Sequence, residues 1–300
     1  MARAYAAERP SMGKMIDRHE MIADYLDEMQ TDIQGIRALA VSSGYHEEMG
    51  QKLNLILEFL PPANEPEREK LEREMKFHQR SSRRLTPLLK YLAAEKSVEI
   101  SRRAIQIHGG YGYSQEYGAE KLLRDAVVLP IYEGTSQIQA LMAMKDSLMG
   151  ILKDPKAFYK KFTSARWAAH RASTKPERRV AGLQTISYKA LQFLMTRLAG
   201  KKFNAMRKKP LAQWAAFFKD WDPKKDFSLA MLHAERLTRI LTDVAIAEIL
   251  LDQANKYPER LELFDRYLER AEPRCRYLYD EITTTGSRLL SKLAEGEEEA

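Results

Sequence analysis

Residues 16–45 carry Ile22, Leu26, Met29, Ile33, Ile36 and Ala40 at steps of three and four. That spacing lines one face of an α-helix with apolar side chains. Asp24, Asp27, Glu28 and Asp32 fall on the other face, and Gly44 is the expected stop. Residues 61–68 (Pro-Pro-Ala-Asn-Glu-Pro-Glu-Arg) read as a linker. A second long helical pattern runs from Glu69 to His108. Pro87 predicts a kink or fresh start within it, because proline lacks the N–H and crowds the carbonyl four residues back. Glycine and tyrosine dominate 109–118, which predicts a loop. There follow a short helix over Ala119–Asp125, an extended apolar segment over Val127–Tyr132 and a turn at Gly134-Thr135-Ser136. Thr135 or Ser136 is placed to cap a helix from Gln137 to Leu152.

Prolines at 155, 176, 210, 223, 258 and 273 divide the second half into helical patterns. Leu237, Leu241, Val244 and Leu251 share a stripe within Phe227–Tyr257, with Asp226 and Ser228 as cap candidates. Residues 259–293 predict a last helix or helix pair broken at Pro273, and 295–300 an acidic, disordered tail. No stretch sustains strand alternation, and no internal repeat is visible. The expectation is an all-α chain: a helical bundle over 1–152, a second, basic helical domain over 153–294, and the tail.

Composition agrees. Only 14 Gly and 12 Pro occur in 300 residues, too few for a turn-rich β architecture. Mean hydropathy is −0.49, and no apolar run reaches the roughly 18 residues of a membrane span. The first residues lack a signal-peptide pattern, and the single cysteine, Cys275, cannot form an internal disulfide, so a cytoplasmic location is expected. Cys275 lies between Arg274 and Arg276, which would lower its pKa, but no catalytic partner pattern accompanies it. Met142, Met144 and Met149 read as core.

Charge changes the picture more. The net charge is +7, yet residues 151–209 hold 16 Lys and Arg against 2 Asp and Glu, leaving the remainder negative. Tyr159, Phe162, Trp167 and Phe203 are interleaved with these cations. A nucleic-acid surface, a contact with an acidic partner, a surface for a ligand's phosphates and a solvated helix face all fit that pattern.

The stretch that carries chemistry is 104–140. It contains Gln106-Ile107-His108-Gly109-Gly110-Tyr111-Gly112, then Arg124-Asp125, then Tyr132-Glu133-Gly134-Thr135-Ser136-Gln137. Paired glycines at a helix end let a phosphate or adenosine approach the backbone, although an ordinary cap and turn reads the same way. A partly desolvated Glu133 would meet the requirement for a general base, and a solvated loop carboxylate is the other reading. His108 reads as a locally packed histidine and Arg124-Asp125 as a structural ion pair or cap.

Taken together, QIHGGYGYSQEYGAEKLLRDA and IYEGTSQIQ closely resemble the signature of the acyl-CoA dehydrogenase family. The likeness covers about residues 1–150. It extends upstream to Arg9, Gly13 and the His19-Glu20 pair, where the family has an arginine, a glycine and a distal glutamine. The resemblance implies a four-helix-bundle-like C-terminal domain. It implies FAD-dependent dehydrogenation of a fatty acyl-CoA to the trans-2-enoyl-CoA, with electrons passed to an electron-transfer flavoprotein, in a homo-oligomer. Glu133 matches the base that takes the α-proton, and its N–H with an FAD ribityl hydroxyl would polarise the thioester carbonyl. Gly134 matches a residue lining the acyl-CoA pocket, and Thr135 and Gln137 match residues touching FAD. Gln106, Ile107, His108, Gly109 and Gly110 match the segment cradling the adenosine diphosphate of a neighbouring subunit's FAD, and Arg9 the arginine on its pyrophosphate.

The departures are Met12 for the usual aromatic, Pro10 after the arginine, and Glu20 for the glutamine, which would bring a carboxylate toward phosphates. The segment 61–100, with its Leu85–Lys90 run, resembles a longer branch that has an additional C-terminal helical domain, accounting for 151–300. The family's N-terminal helical and β-barrel domains have no counterpart here. The chain therefore reads as a fragment or a split subunit. The alternative is a non-catalytic relative that assembles with others or binds a polyanion such as DNA through 151–209, as an adaptive-response branch of the family does.

Overall fold

A computed structural model describes residues 1–206 and 227–298. Helices make up nearly all of them. Two compact units divide the chain, one combining Met1–Gln139 with Ala245–Tyr267, the other Ala140–Val244 with Leu268–Ala300.

The first unit begins with α1 (Ala2–Glu8) and a two-residue hairpin, β1 (Pro10–Ser11) against β2 (Lys14–Met15). Its turn residues Met12 and Gly13 both have positive φ, 45° and 81°, the pairing that suits strand twist. A long hairpin follows, α2 (Glu20–Phe59) packed on α3 (Glu65–His108). The expected stop at Gly44 is overridden. A helical glycine costs only about 1 kcal/mol, less than packing along α3 returns. The linker contracts because Asn64 caps α3, its Oδ1 accepting from Glu67 N at 2.9 Å, and Pro66 fits the first turn. Pro87 stays inside α3. It is buried beside Leu85 and Leu88, so tertiary packing holds the helix where the local chain would break it.

The polar face of α2 also differs from the pattern. Asp32 is buried and accepts from Lys96 Nζ at 2.8 Å, and Glu28 pairs with Arg103. Ile33 lies exposed instead. The apolar core at this end joins Ala2 and Ala6 of α1, Met29 of α2, and Ala104 and Ile107 of α3, with Tyr5, Ile22 and Tyr25 packed on it.

After α3 the expected loop forms a helical turn, α4 (Gly110–Tyr113), and a 3-10 turn at Gln115–Tyr117, followed by α5 (Ala119–Ala126). Val127–Tyr132 is not extended. Its amides bond backward, Leu129 N to Ala126 O and Tyr132 N to Val128 O, making successive turns. Thr135 caps α6 (Ser136–Lys153), its hydroxyl accepting from Ile138 N at 3.3 Å.

In the second unit α7 (Pro155–Arg171) packs on α8 (Lys175–Met206), with Phe158 and Phe162 against Tyr188. The Phe227–Tyr257 pattern divides at His233 into α9 (Ser228–Leu232) and α10 (Ala234–Lys256). Ser228 is helical, and Asp226 lies outside the described residues. α11 (Leu261–Thr284) continues through Pro273, and the break falls instead at Gly286, whose φ of 97° ends the helix before α12 (Ser287–Glu298). Residues 295–298 of the expected tail are therefore helical. Met144 is buried, but Met142 and Met149 are exposed. Cys275 is fully buried and donates to Asp243, which Arg274 grips through two bonds of 2.8 and 2.9 Å. Burial first, then the Asp243 charge, pushes its thiol well up, against the expected lowering.

Candidate active site

Arg9 leaves α1 with its backbone pinned. Its N–H donates to Tyr5 O at 3.0 Å and its carbonyl accepts from Ile16 N at 2.9 Å. The guanidinium stands 5.3 Å over the Tyr111 ring and has no carboxylate partner among the described residues. Across from it, α3 ends at Gly109, whose φ of 62° with ψ of −139° suits glycine alone. These parts enclose a cavity of about 730 Å³ lined by Arg9 and Gln106 through Tyr111, with Tyr5, Met12 and His19.

Each wall has a cause. His108 is buried, with Nδ1 donating to Ala104 O at 2.6 Å and the ring stacked on Tyr5 at 4.4 Å, so it packs as expected rather than facing a ligand freely. The Ile107 side chain is buried in the core, which leaves its backbone toward the cavity. His19 donates from Nε2 to Ser11 O at 3.0 Å and ties the hairpin to α2. Glu20 turns away to Lys14 at 3.4 Å. Its own backbone N–H, then Lys14, hold its carboxyl below the usual range. Glu20 therefore lines no part of the cavity, whose one carboxylate among the described residues is Glu116. Met12 takes the aromatic's position at the hairpin tip, 93% exposed.

Glu133, Gly134, Thr135 and Gln137 line no part of that cavity. They sit on the turn before α6. Glu133 has φ 47°, one of two described non-glycine residues in this region, and Gly134 follows at 89°. A Cβ on Gly134 would stand 2.9 Å from Gln139 Nε2. Glu133 is exposed, and among the described residues neither its carboxylate nor its N–H has a partner. Exposed Val128, Ile131, Tyr132 and Ile138 flank it. Arg124 pairs with Glu120 at 3.4 Å, a structural ion pair with a different partner from Asp125.

The cationic stretch is a separate feature. On α7, Lys156, Lys160, Lys161, Arg166 and Arg171 are exposed with Tyr159 and Trp167, and the helix carries no carboxylate. Phe162 is buried. The side chains of Lys201, Lys202 and Phe203 are not described, and Arg207, Lys208 and Lys209 lie outside the described residues.

Residues 70–148 match the family model for the acyl-CoA dehydrogenase C-terminal domain. Over these residues the chain is similar to the C-terminal domain of acyl-CoA dehydrogenases. Among curated relatives, the short-chain-specific acyl-CoA dehydrogenase of Clostridium acetobutylicum is 30% identical over 141 residues, covering 47% of this chain and 30% of that protein. Subunit CarC of the caffeyl-CoA reductase–Etf complex of Acetobacterium woodii is 32% identical over 138 residues, covering 46% and 29%. This chain therefore spans under a third of the curated relatives' length. A crystal structure of an acyl-CoA dehydrogenase complexed with FAD from Bacillus anthracis matches 98% of this chain and 47% of its own, with a TM-score of 0.62 at 17% identity. At that identity it establishes shared fold.

Of the residues singled out in the sequence, Arg9 and Gln106 through Gly110 line one cavity, and Glu133, Gly134, Thr135 and Gln137 lie apart from it on the turn before α6. Not legible in the sequence are Tyr5, Tyr111 and His19 as walls, and Lys90, whose Nζ donates to Leu129 O at 2.7 Å. Nothing in the linear pattern pairs position 5 with 108 or 90 with 129.

Proposed function

We propose that this chain supplies the catalytic base and part of the FAD site of an enzyme that dehydrogenates an acyl-CoA thioester to the trans-2-enoyl-CoA. The observation that carries this reading is the Glu133 turn. A left-handed, non-glycine residue is held on a defined turn with an unpartnered carboxylate and N–H, inside the matched domain. Strain of this kind concentrates where a side chain must be presented.

The Glu133 carboxylate takes the thioester α-proton, and its N–H donates to the thioester carbonyl, stabilising the charge that develops there. Gly134 leaves room for the acyl chain beside that carbonyl. The flanking apolar side chains exclude water once the complementary domains cover them, which strengthens both contacts.

The cavity suits FAD. A fixed cation without a carboxylate partner, Arg9, faces aromatic rings and glycine backbone, a donor set that matches a pyrophosphate and an adenosine. Arg9 and Gln106 through Gly110 would hold that end, and Thr135 and Gln137 would hold FAD on the base's side. When bound, FAD supplies the acceptor for the hydride leaving the β-carbon. Because the cavity and the Glu133 turn are separate places on one chain, the arrangement suits an oligomer in which one protomer's cavity serves its neighbour's base. The domains beyond this chain come from the rest of a longer polypeptide or from a complementary subunit. The Etf-complex relative supports an electron-transfer flavoprotein as acceptor.

The test is Glu133→Gln in the FAD-loaded protein with its complementary domains. The variant should still bind acyl-CoA but reduce flavin at least about 100-fold more slowly. Wild-type flavin bleaching by the variant would overturn the assignment.

A further inference from the structure

We infer that Lys90 is the positioning residue of the Glu133 turn, gripping it from α3 on both sides of Pro130-Ile131. This rests on the reading of Glu133 as the base. Lys90 lies half-buried near the middle of α3 and has no ion-pair partner among the described residues. Its ammonium donates to Leu129 O at 2.7 Å and stands 4.0 Å over the centre of the Tyr132 ring.

The turn's own bonds leave a gap that Lys90 fills. The carbonyls of Ala126, Val128 and Pro130 accept from the amides of Leu129, of Ile131 and Tyr132, and of Ser136. The Leu129 carbonyl is skipped by that ladder and is taken by Lys90. Tyr132 directly precedes Glu133, so the ring held on the ammonium fixes the peptide whose N–H belongs to Glu133. The turn has little else to hold it, since Val127, Val128 and Ile131 are exposed. A left-handed Glu133 persists only where its surroundings over-determine it. A compact ammonium with three donors can bond a carbonyl and face an aromatic ring at once, which a neutral chain of equal length cannot.

The geometry is testable in the 300-residue chain by NMR, without turnover. The Lys90 ε-methylene protons should lie upfield in the Tyr132 ring current and return to ordinary positions in Tyr132→Leu. Lys90→Met should speed amide exchange at Ile131, Tyr132 and Ser136 about ten-fold while amides of α2 keep their protection, and Lys90→Arg should restore part of it. Unshifted ε-protons, or unchanged exchange in a folded Lys90→Met protein, would overturn the inference. In the FAD-loaded enzyme Lys90→Met should lower kcat about 10- to 100-fold with little change in KM, as misplacement of a reacting group does. An unchanged kcat overturns the catalytic consequence. Glu133→Gln reports separately on the base. Rapid flavin reduction by that variant would remove the functional reading while leaving the exchange result intact.

Discussion

At Gly112 a single hydrogen atom decides whether the cavity wall can form. A Cβ there would stand 2.6 Å from Ile105 O and 2.9 Å from His108 Cβ, because α4 is pressed onto the last turn of α3. Neither the backbone oxygen nor the buried histidine can retreat. Gly112→Ala should lift α4, displace Tyr111 from Arg9, and destabilise the protein by about 1–3 kcal/mol. Urea denaturation checks this, and an unchanged midpoint would contradict the packing account. The motif's glycines look equivalent in the sequence but differ in cause. Gly109 is required by its φ of 62°, and Gly112 by close approach.

Helix ends show where local chemistry prevails. Thr174 and Glu177 form a reciprocal cap at the start of α8: Glu177 N donates to the Thr174 hydroxyl at 3.3 Å and Thr174 N to the Glu177 carboxylate at 3.0 Å. The Thr174 N–H, then its hydroxyl, hold the Glu177 carboxyl below its usual value. The folded state therefore favours the ionised form. The stabilisation is complete above the ordinary value of 4.5 and is lost as pH falls through the depressed folded one. Acid should therefore fray the first turn of α8, visible as faster exchange of the Thr174 amide below about pH 4. Exchange that stays flat into acid would contradict the cap. This motif is complete within four adjacent residues. Helix interruptions are not local in this way. Pro87 and Pro273 predict breaks by local rules, but burial of Pro87 and the φ of 97° at Gly286 move the real breaks elsewhere.

Across the whole molecule, two histidines tie stability to pH. Burial first, then nearby His78 and Arg84, lower the pKa of His46. Burial first lowers that of His233, which is fully enclosed near Thr285. His46 and His78 meet Nδ1 to Nδ1 at 2.9 Å, so only one nitrogen of that contact carries a proton. The unfolded chain, with ordinary values near 6.5, binds protons that the folded chain refuses. Stability should therefore fall as pH drops from about 7 to about 5. A urea midpoint that is flat or rising toward acid over that range would contradict it. The charge asymmetry belongs to this scale too. The exposed cations of α7 form a carboxylate-free face that the composition had located without giving it a surface.

What the sequence settled by itself was the helical class, the motif order and the residue types at Arg9, 106–110 and 133–137. Each depends on neighbours within a turn or two of chain, or on a pattern carried by adjacent letters. Tertiary structure decided that Arg9 meets the end of α3 in one cavity, that Glu20 is drawn off by Lys14, that Asp32 is buried against Lys96, and that Lys90 holds the Glu133 turn. Those contacts join positions tens of residues apart through side-chain geometry. The linear spacing of charges and apolar groups is compatible with many such pairings, and only the packed backbone selects among them.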